Sequence, residues 1–212
     1  MGARLYLVRH WETRTNAGDI MQGSGDSPAS ERGLRQGEAT NRALADIKLD
    51  MTLSGPQWRH IHTAYAILGP DPMIVKTDCR LREQHMGDWE GVPIADLLRD
   101  HGELFRAWRE GRDCPENGEK HEALRERVTD AWMTIAGNAV RHEQDVLVVT
   151  SSMPIRAILG HVLDLPISSW RAIAVDNCSI TILRHKDDGY WQVETLNDTH
   201  HLREVGVNKT FV

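Results

Sequence analysis

The sequence predicts a three-layer α/β/α sandwich around a mostly parallel central sheet with one antiparallel edge strand. Three observations carry this expectation. The run 145–150 (DVLVVT) is β-branched and apolar on both faces, as a central parallel strand should be, and 4–8 (RLYLV) reads as a second buried strand. Helical periodicity alternates with such runs, and parallel strands need helical crossovers. Late in the chain two strand-like runs flank Lys186-Asp187-Asp188-Gly189, where Asp-Gly signals a hairpin that adds the antiparallel strand.

The elements follow in order. After strand 4–8, the polar stretch from Trp11 to Ser30, with Gly18, Gly23 and Gly25, reads as loop and turn. Residues 31–46 read as a helix turning Leu34, Ala39, Ala43 and Leu44 to the core. A strand at 51–53 leads through Ser54-Gly55-Pro56 into a helix over 57–68, with Pro56 as its first helical residue. Residues 73–77 (MIVKT) suggest another strand, and 80–91 is rich in turn residues. The clearest helix spans 121–140, where Leu124, Val128, Ala131, Ile135 and Ala139 recur at spacings of four, three, four and four. Strand 145–150, a helix over 154–163, and strands at 178–184 and 190–196 complete the order. No repeat, low-complexity tract or linker divides the chain, so residues 1–212 read as one domain.

Composition narrows the function. Of 212 residues, 40% are hydrophobic and 26% charged, which fits a globular protein rather than a disordered one. The formal net charge of −6 supplies no cationic footprint for nucleic acid, yet one local pocket can still be positive. No apolar run approaches the ~18 residues of a membrane span. Cys79, Cys114 and Cys178 are odd in number and far apart, as reduced thiols are. The reading is cytoplasmic, with neither nucleic acid nor membrane as partner.

In parallel sheets ligands gather beyond the carboxyl ends of the strands. Immediately after the first strand stands Arg9-His10-Trp11-Glu12-Thr13, with Asn16 beyond. A neutral imidazole is a competent nucleophile toward phosphorus, and a guanidinium fork matches phosphate oxygens. Leu53-Ser54-Gly55-Pro56-Gln57-Trp58-Arg59 sets a second arginine on the first turn of a helix, a natural anion site. In Leu81-Arg82-Glu83-Gln84-His85-Met86-Gly87-Asp88-Trp89-Glu90-Gly91 a carboxylate lies among turn glycines and an aromatic able to bury it, as a general acid requires.

Together and in this order, these segments resemble the histidine phosphatase superfamily, the phosphoglycerate mutase-like proteins. The resemblance runs from Leu5 to about Ile158. It includes Leu7-Val8-Arg9-His10, Glu12-Thr13 with Asn16, Gln22-Gly23, Arg59 with Thr63-Ala64, and Glu83 with Gly87-x-Trp89-Glu90-Gly91. Pro115, Gly118-Glu119, Arg127 and Pro154-Ile155-Arg156 extend it. It implies a metal-independent phosphatase, without cofactor, that hydrolyses a small phosphorylated metabolite through phosphohistidine. His10 would be the nucleophile and Glu83 the acid and base. Arg9, Asn16, Arg59, Ser151 and Ser152 would hold the substrate.

Two positions depart from the family pattern. Trp11 stands where the motif has glycine, and Ser151 stands where a second catalytic histidine is expected. Candidates to line the pocket are Trp11, Gln22, Gly23, His85 and His201, with His85 and the pair His200-His201 also as stand-ins for the missing histidine; Trp11 and Trp89 could frame an organic leaving group. His60 and His62 project ~200° apart on a helix and cannot share a metal, so no metal site is expected. The alternatives are a degenerate phosphate-binding pseudophosphatase and a mutase-like phosphotransferase. A homodimer is left open.

Overall fold

The structure is a computed structural model that describes residues 2–69 and 74–207. Strands β1 (Arg4–Arg9), β2 (Met51–Ser54), β3 (Val75–Thr77), β4 (Asp145–Thr150), β5 (Ile180–His185) and β6 (Trp191–Asp198) form one sheet in the order β3-β2-β4-β1-β5-β6. β1 to β4 are mutually parallel, with Arg4 opposite Asp145 and Arg9 opposite Thr150. The expected antiparallel strand is β5, but it is not at the edge: it lies between β1 and β6, and β6 turns back to run with β1. Residue 73 of the expected third strand falls outside the described residues.

Alternate strand residues feed two cores, as pleating dictates. Leu5, Leu7, Val146 and Val148 pack against helices α6 (His121–His142) and α7 (Ser152–Val162). Tyr6, Val8, Leu147 and Val149 meet Ala64, Ile67 and Leu68 of α3 (Trp58–Leu68) and Leu44 of α2 (Glu31–Leu44). The three-layer sandwich follows.

Several local expectations are corrected. The stretch 11–30 is not all loop: α1 (Arg14–Ala17) forms there, closed by a capping box between Thr13 and Asn16. In α2 the buried residues include Gln36 and Thr40 beside Ala39 and Leu44, whereas Leu34 is exposed. Pro56 precedes α3, whose N-cap is Gln57. Two short helices, α4 (Ile94–Asp100) and α5 (Gly102–Arg109), had no sequence reading; they bury Ile94, Leu97, Phe105 and Trp108 in a separate cluster with Met21, Met86 and Trp89. No helix among the described residues is long and apolar enough to cross a membrane.

Candidate active site

The segments leaving the strand ends build one site. The His10 N–H donates to the Thr150 carbonyl at 2.8 Å, carrying the β1–β4 ladder one residue past β1. The His10 ring is buried, and its Nδ1 lies 2.7 Å from the Trp11 carbonyl oxygen. A carbonyl only accepts, so Nδ1 carries the hydrogen and Nε2 keeps its lone pair. Asn177 Nδ2 steadies this turn by donating to the carbonyls of His10 at 2.9 Å and Trp11 at 3.2 Å. Burial first, then the neighbouring Arg59 and Arg9, hold His10 well below the ordinary histidine range. At neutral pH it is therefore an uncharged imidazole.

Two buried guanidinium groups flank it. Arg9 donates to the Val175 carbonyl at 2.7 Å, and burial pushes its pKa down to about 10, against the pull of Glu83. It stays protonated at neutral pH. Arg59, in the first turn of α3, donates to the carbonyls of Gly23 at 2.8 Å and Gly25, and pairs with Asp26 at 3.3 Å. Asp26 also accepts the Trp58 N–H at 2.9 Å, giving α3 the N-terminal acceptor that Gln57 does not supply. The loop approaches Arg59 through Gly23, at φ +55°, where an added Cβ would fall 2.3 Å from Glu90 Oε1. That carboxylate pins the loop by accepting the N–H groups of Ser24 at 2.7 Å and Met86 at 3.1 Å. Only glycine fits there.

Glu83 is half-buried. Its carboxylate accepts the Gln84 N–H at 2.9 Å and the Ser152 hydroxyl at 3.3 Å. The expected aromatic wall is absent: Trp89 packs instead on Phe105 and Trp108, at ring separations of 5.7 Å and 6.0 Å. Arg127 of α6 positions the segment, donating to the carbonyls of Arg80 at 2.6 Å, Arg82 at 2.8 Å and Glu83 at 3.2 Å.

Arg9, His10, Asn16, Arg59, Glu83 and Ser152 open onto a single cavity with Gln22 and Gly23. Its remaining walls are Asp19, Ile20, Met21 and Ile94. Asn16 reaches Gln22 Oε1 at 3.4 Å, while its own oxygen caps α1 by accepting the Thr13 N–H at 3.2 Å. Two cations, one neutral imidazole and one carboxyl group around a small opening can seat a phosphoryl group and serve both its nucleophile and its leaving oxygen.

Four expected residues stand elsewhere. Trp11 does not line this cavity; its indole packs with Ala39, Cys178 and Leu202 and lies against Gly37, and its φ is negative, so no glycine is needed there. His85 is half exposed and bonds Glu90 and Ser24, each at 2.8 Å, outside the cavity walls. His201 faces Thr40 Oγ1 at 3.2 Å and the Cys178 carbonyl at 3.1 Å, on the side of Trp11. Ser151 is fully buried, and its hydroxyl bonds His60 Nε2 at 2.6 Å.

His60 is what the sequence reading missed. By its sequence it suggests only a metal ligand beside His62, which in the fold packs edge-on to Trp58. The His60 ring instead lies 5.5 Å from that of His10. Asp26 and Asn177 also support the site with nothing in their local sequence to mark it, and Glu90, although part of the Gly87-x-Trp89-Glu90-Gly91 motif, holds the Gly23 loop in a way the motif does not specify.

Comparison with known proteins adds the following. Residues 5–199 match the sequence profile of the histidine phosphatase superfamily, branch 1. The chain is 32% identical over 196 residues to glucosyl-3-phosphoglycerate phosphatase of Mycobacterium tuberculosis, covering 89% of this chain and 86% of that protein. It is 30% identical over 210 residues to a probable phosphoglycerate mutase of Yersinia pestis, covering 94% of each. The solved structure of Bacillus stearothermophilus YhfR superposes with a TM-score of 0.86 at 27% identity, over 95% of this chain and all of that one.

Proposed function

This chain belongs to branch 1 of the histidine phosphatase superfamily, and from that premise we propose that it is a metal-independent phosphatase acting on a small phosphomonoester through phosphohistidine. The observation that carries the reading is the His10 contact with the Trp11 carbonyl, which leaves Nε2 as the nucleophilic lone pair between two arginines. The phosphoryl group sits against Arg9 and Arg59, with Asn16 and Ser152 as further donors. His10 Nε2 attacks phosphorus as the ester P–O bond breaks, and Glu83 gives its proton to the departing alkoxide. Water then attacks the phosphohistidine, the P–N bond breaks, and Glu83 takes the proton of that water. The chemistry is positioning and charge stabilisation, the main demands of phosphoryl transfer.

The leaving group faces Asp19, Ile20, Met21 and Ile94. Those side chains suit an organic alcohol with an apolar part and a hydrogen-bond donor. This reading places the enzyme in the cytoplasm. The similarity to a probable phosphoglycerate mutase favours a second reading, in which the phosphohistidine returns its phosphoryl group to a hydroxyl of the same substrate. The experiment is a chelator-treated assay over a panel of metabolite monoesters and the two phosphoglycerates, with acid-labile phosphate trapped on the protein. Inorganic phosphate release that disappears in His10→Ala supports the first reading, and interconversion of the phosphoglycerates the second. Loss of activity with chelator, or full activity without His10, overturns both.

A further inference from the structure

His60 is completely buried at the heart of the site, yet none of its atoms walls the cavity. Three neighbours define its place. Nε2 is hydrogen bonded to Ser151 Oγ at 2.6 Å, the ring lies 5.5 Å from the His10 ring at a 40° tilt, and the opposite edge lies against Gly55. A Cβ on Gly55 would fall 2.2 Å from His60 Nδ1 and 2.7 Å from the Leu81 carbonyl. The glycine after β2, the histidine on α3 and the serine after β4 therefore fit as a set, each shaped to the others.

An imidazole is an odd filling for this space. A buried polar ring costs stability unless paired, and α3 is already anchored by Ala64, Ile67 and Leu68. Departures from economical packing concentrate at functional sites. Burial and Arg59 keep His60 uncharged, so beside His10 it adds a polar ring without adding a third cation between Arg9 and Arg59. Position 151 is where the family resemblance expects a histidine. The hydroxyl there ends 2.6 Å from an imidazole nitrogen that arrives from another element.

We propose that His60 is a positioning residue for phosphoryl transfer, supplied by α3 instead of the loop after β4, which acts through the Ser151 hydroxyl and against the His10 ring. The inference rests on the reading of His10 as nucleophile. Ser151→His alone brings no gain, because His60 already fills the space its side chain would enter.

The test uses the full chain with p-nitrophenyl phosphate as substrate, inorganic phosphate as ligand, and three variants: His60→Ala, His60→Gln and the exchange His60→Ala/Ser151→His. The expected result is a kcat lower by ~10²-fold in His60→Ala with KM little changed, the scale of one lost polar contact in a transition state. The exchange recovers at least ~10-fold of that, which a merely structural role does not predict. His60→Gln keeps a polar partner for Ser151 and serves if the alanine variant does not fold; its kcat also falls. Wild-type kcat in a folded His60 variant overturns the proposal. So does an exchange variant that binds inorganic phosphate as the parent does but recovers nothing. If the parent forms no phosphohistidine, it is the reading of function that fails. Nitrogen-15 NMR of the imidazoles then judges His60 alone. The His10 ring should loosen in His60→Ala, its Nδ1–H exchanging faster with water, and an unaltered exchange rate overturns the proposal.

Discussion

Arg127 holds Glu83 by its main chain and not by its charge. The guanidinium donates to the Glu83 carbonyl at 3.2 Å and to those of Arg80 and Arg82, while Glu119 takes its Nε at 2.6 Å and its Nη2 at 2.7 Å. The Glu83 segment is thus held from behind by an ion pair that lies outside the cavity walls.

Arg127→Lys keeps the charge but loses the planar fork, and three carbonyls compete for one ammonium. We expect a loss of ~1.5–3 kcal/mol in unfolding free energy, the scale of a hydrogen bond lost from a charged donor. The kcat for alkyl phosphates should fall while phosphate affinity holds. Urea titration and steady-state assays read both, and an unchanged kcat would mean that the Glu83 segment needs no such brace.

Glu83→Gln should slow alkyl phosphates by ~10²-fold or more and p-nitrophenyl phosphate much less. An alkoxide needs a proton as it departs, and an activated phenolate hardly does. Equal losses on both esters would remove Glu83 from the acid role.

Acid should destabilise the fold early. His10, His60 and His121 are held below the ordinary histidine value mainly by burial, His121 down to about 4. Each is neutral in both states well above pH 6.5, so none affects stability there. Below it the unfolded chain takes up protons that the folded chain refuses. Each histidine then costs about 1.4 kcal/mol per pH unit. Between pH 7 and 5.5 the three together should remove ~3–4 kcal/mol, visible as a falling urea midpoint. A flat profile over that window would show that these rings protonate in place.

Gly137→Ala should stabilise the protein. Gly137 lies inside α6, and an added Cβ there meets nothing within 4 Å. Helix propensity gives ~1 kcal/mol, a rise of ~2–4 °C in Tm, with kcat unchanged. A lower Tm would mean that α6 uses its glycine for something other than flexibility.

Much of this was legible in the chain because it is locally encoded. DVLVVT announces a strand buried on both faces, and the regular stripe of α6 meets the β1–β4 layer as read. Arg9, His10, Arg59, Glu83 and Ser152 do meet at one cavity. The helices α4 and α5 were invisible because His101-Gly102 breaks their stretch into pieces of one or two turns, each with only two buried residues. The face of α2 was misjudged because its inner residues include Gln36 and Thr40, buried through hydrogen bonds to the Glu12 N–H and within the helix. His60 had no local signature at all. Its meaning depends on Ser54 pairing opposite Val149, which brings the residues after two distant strands side by side.

The sheet order has a consequence for the chain as it is made. β1 is made before every other strand of this sheet, but both of its neighbours, β4 and β5, come after residue 144. Until residues 145–150 have emerged, the segment bearing His10 has no ladder to continue and no Thr150 carbonyl to hold it. Pairings this distant are slow to close and leave an apolar strand waiting with unpaired edges. Leu5, Leu7 and Val8 therefore stay without their sheet partners until β4 and β5 are made, and the turn bearing His10 is fixed long after it is synthesised.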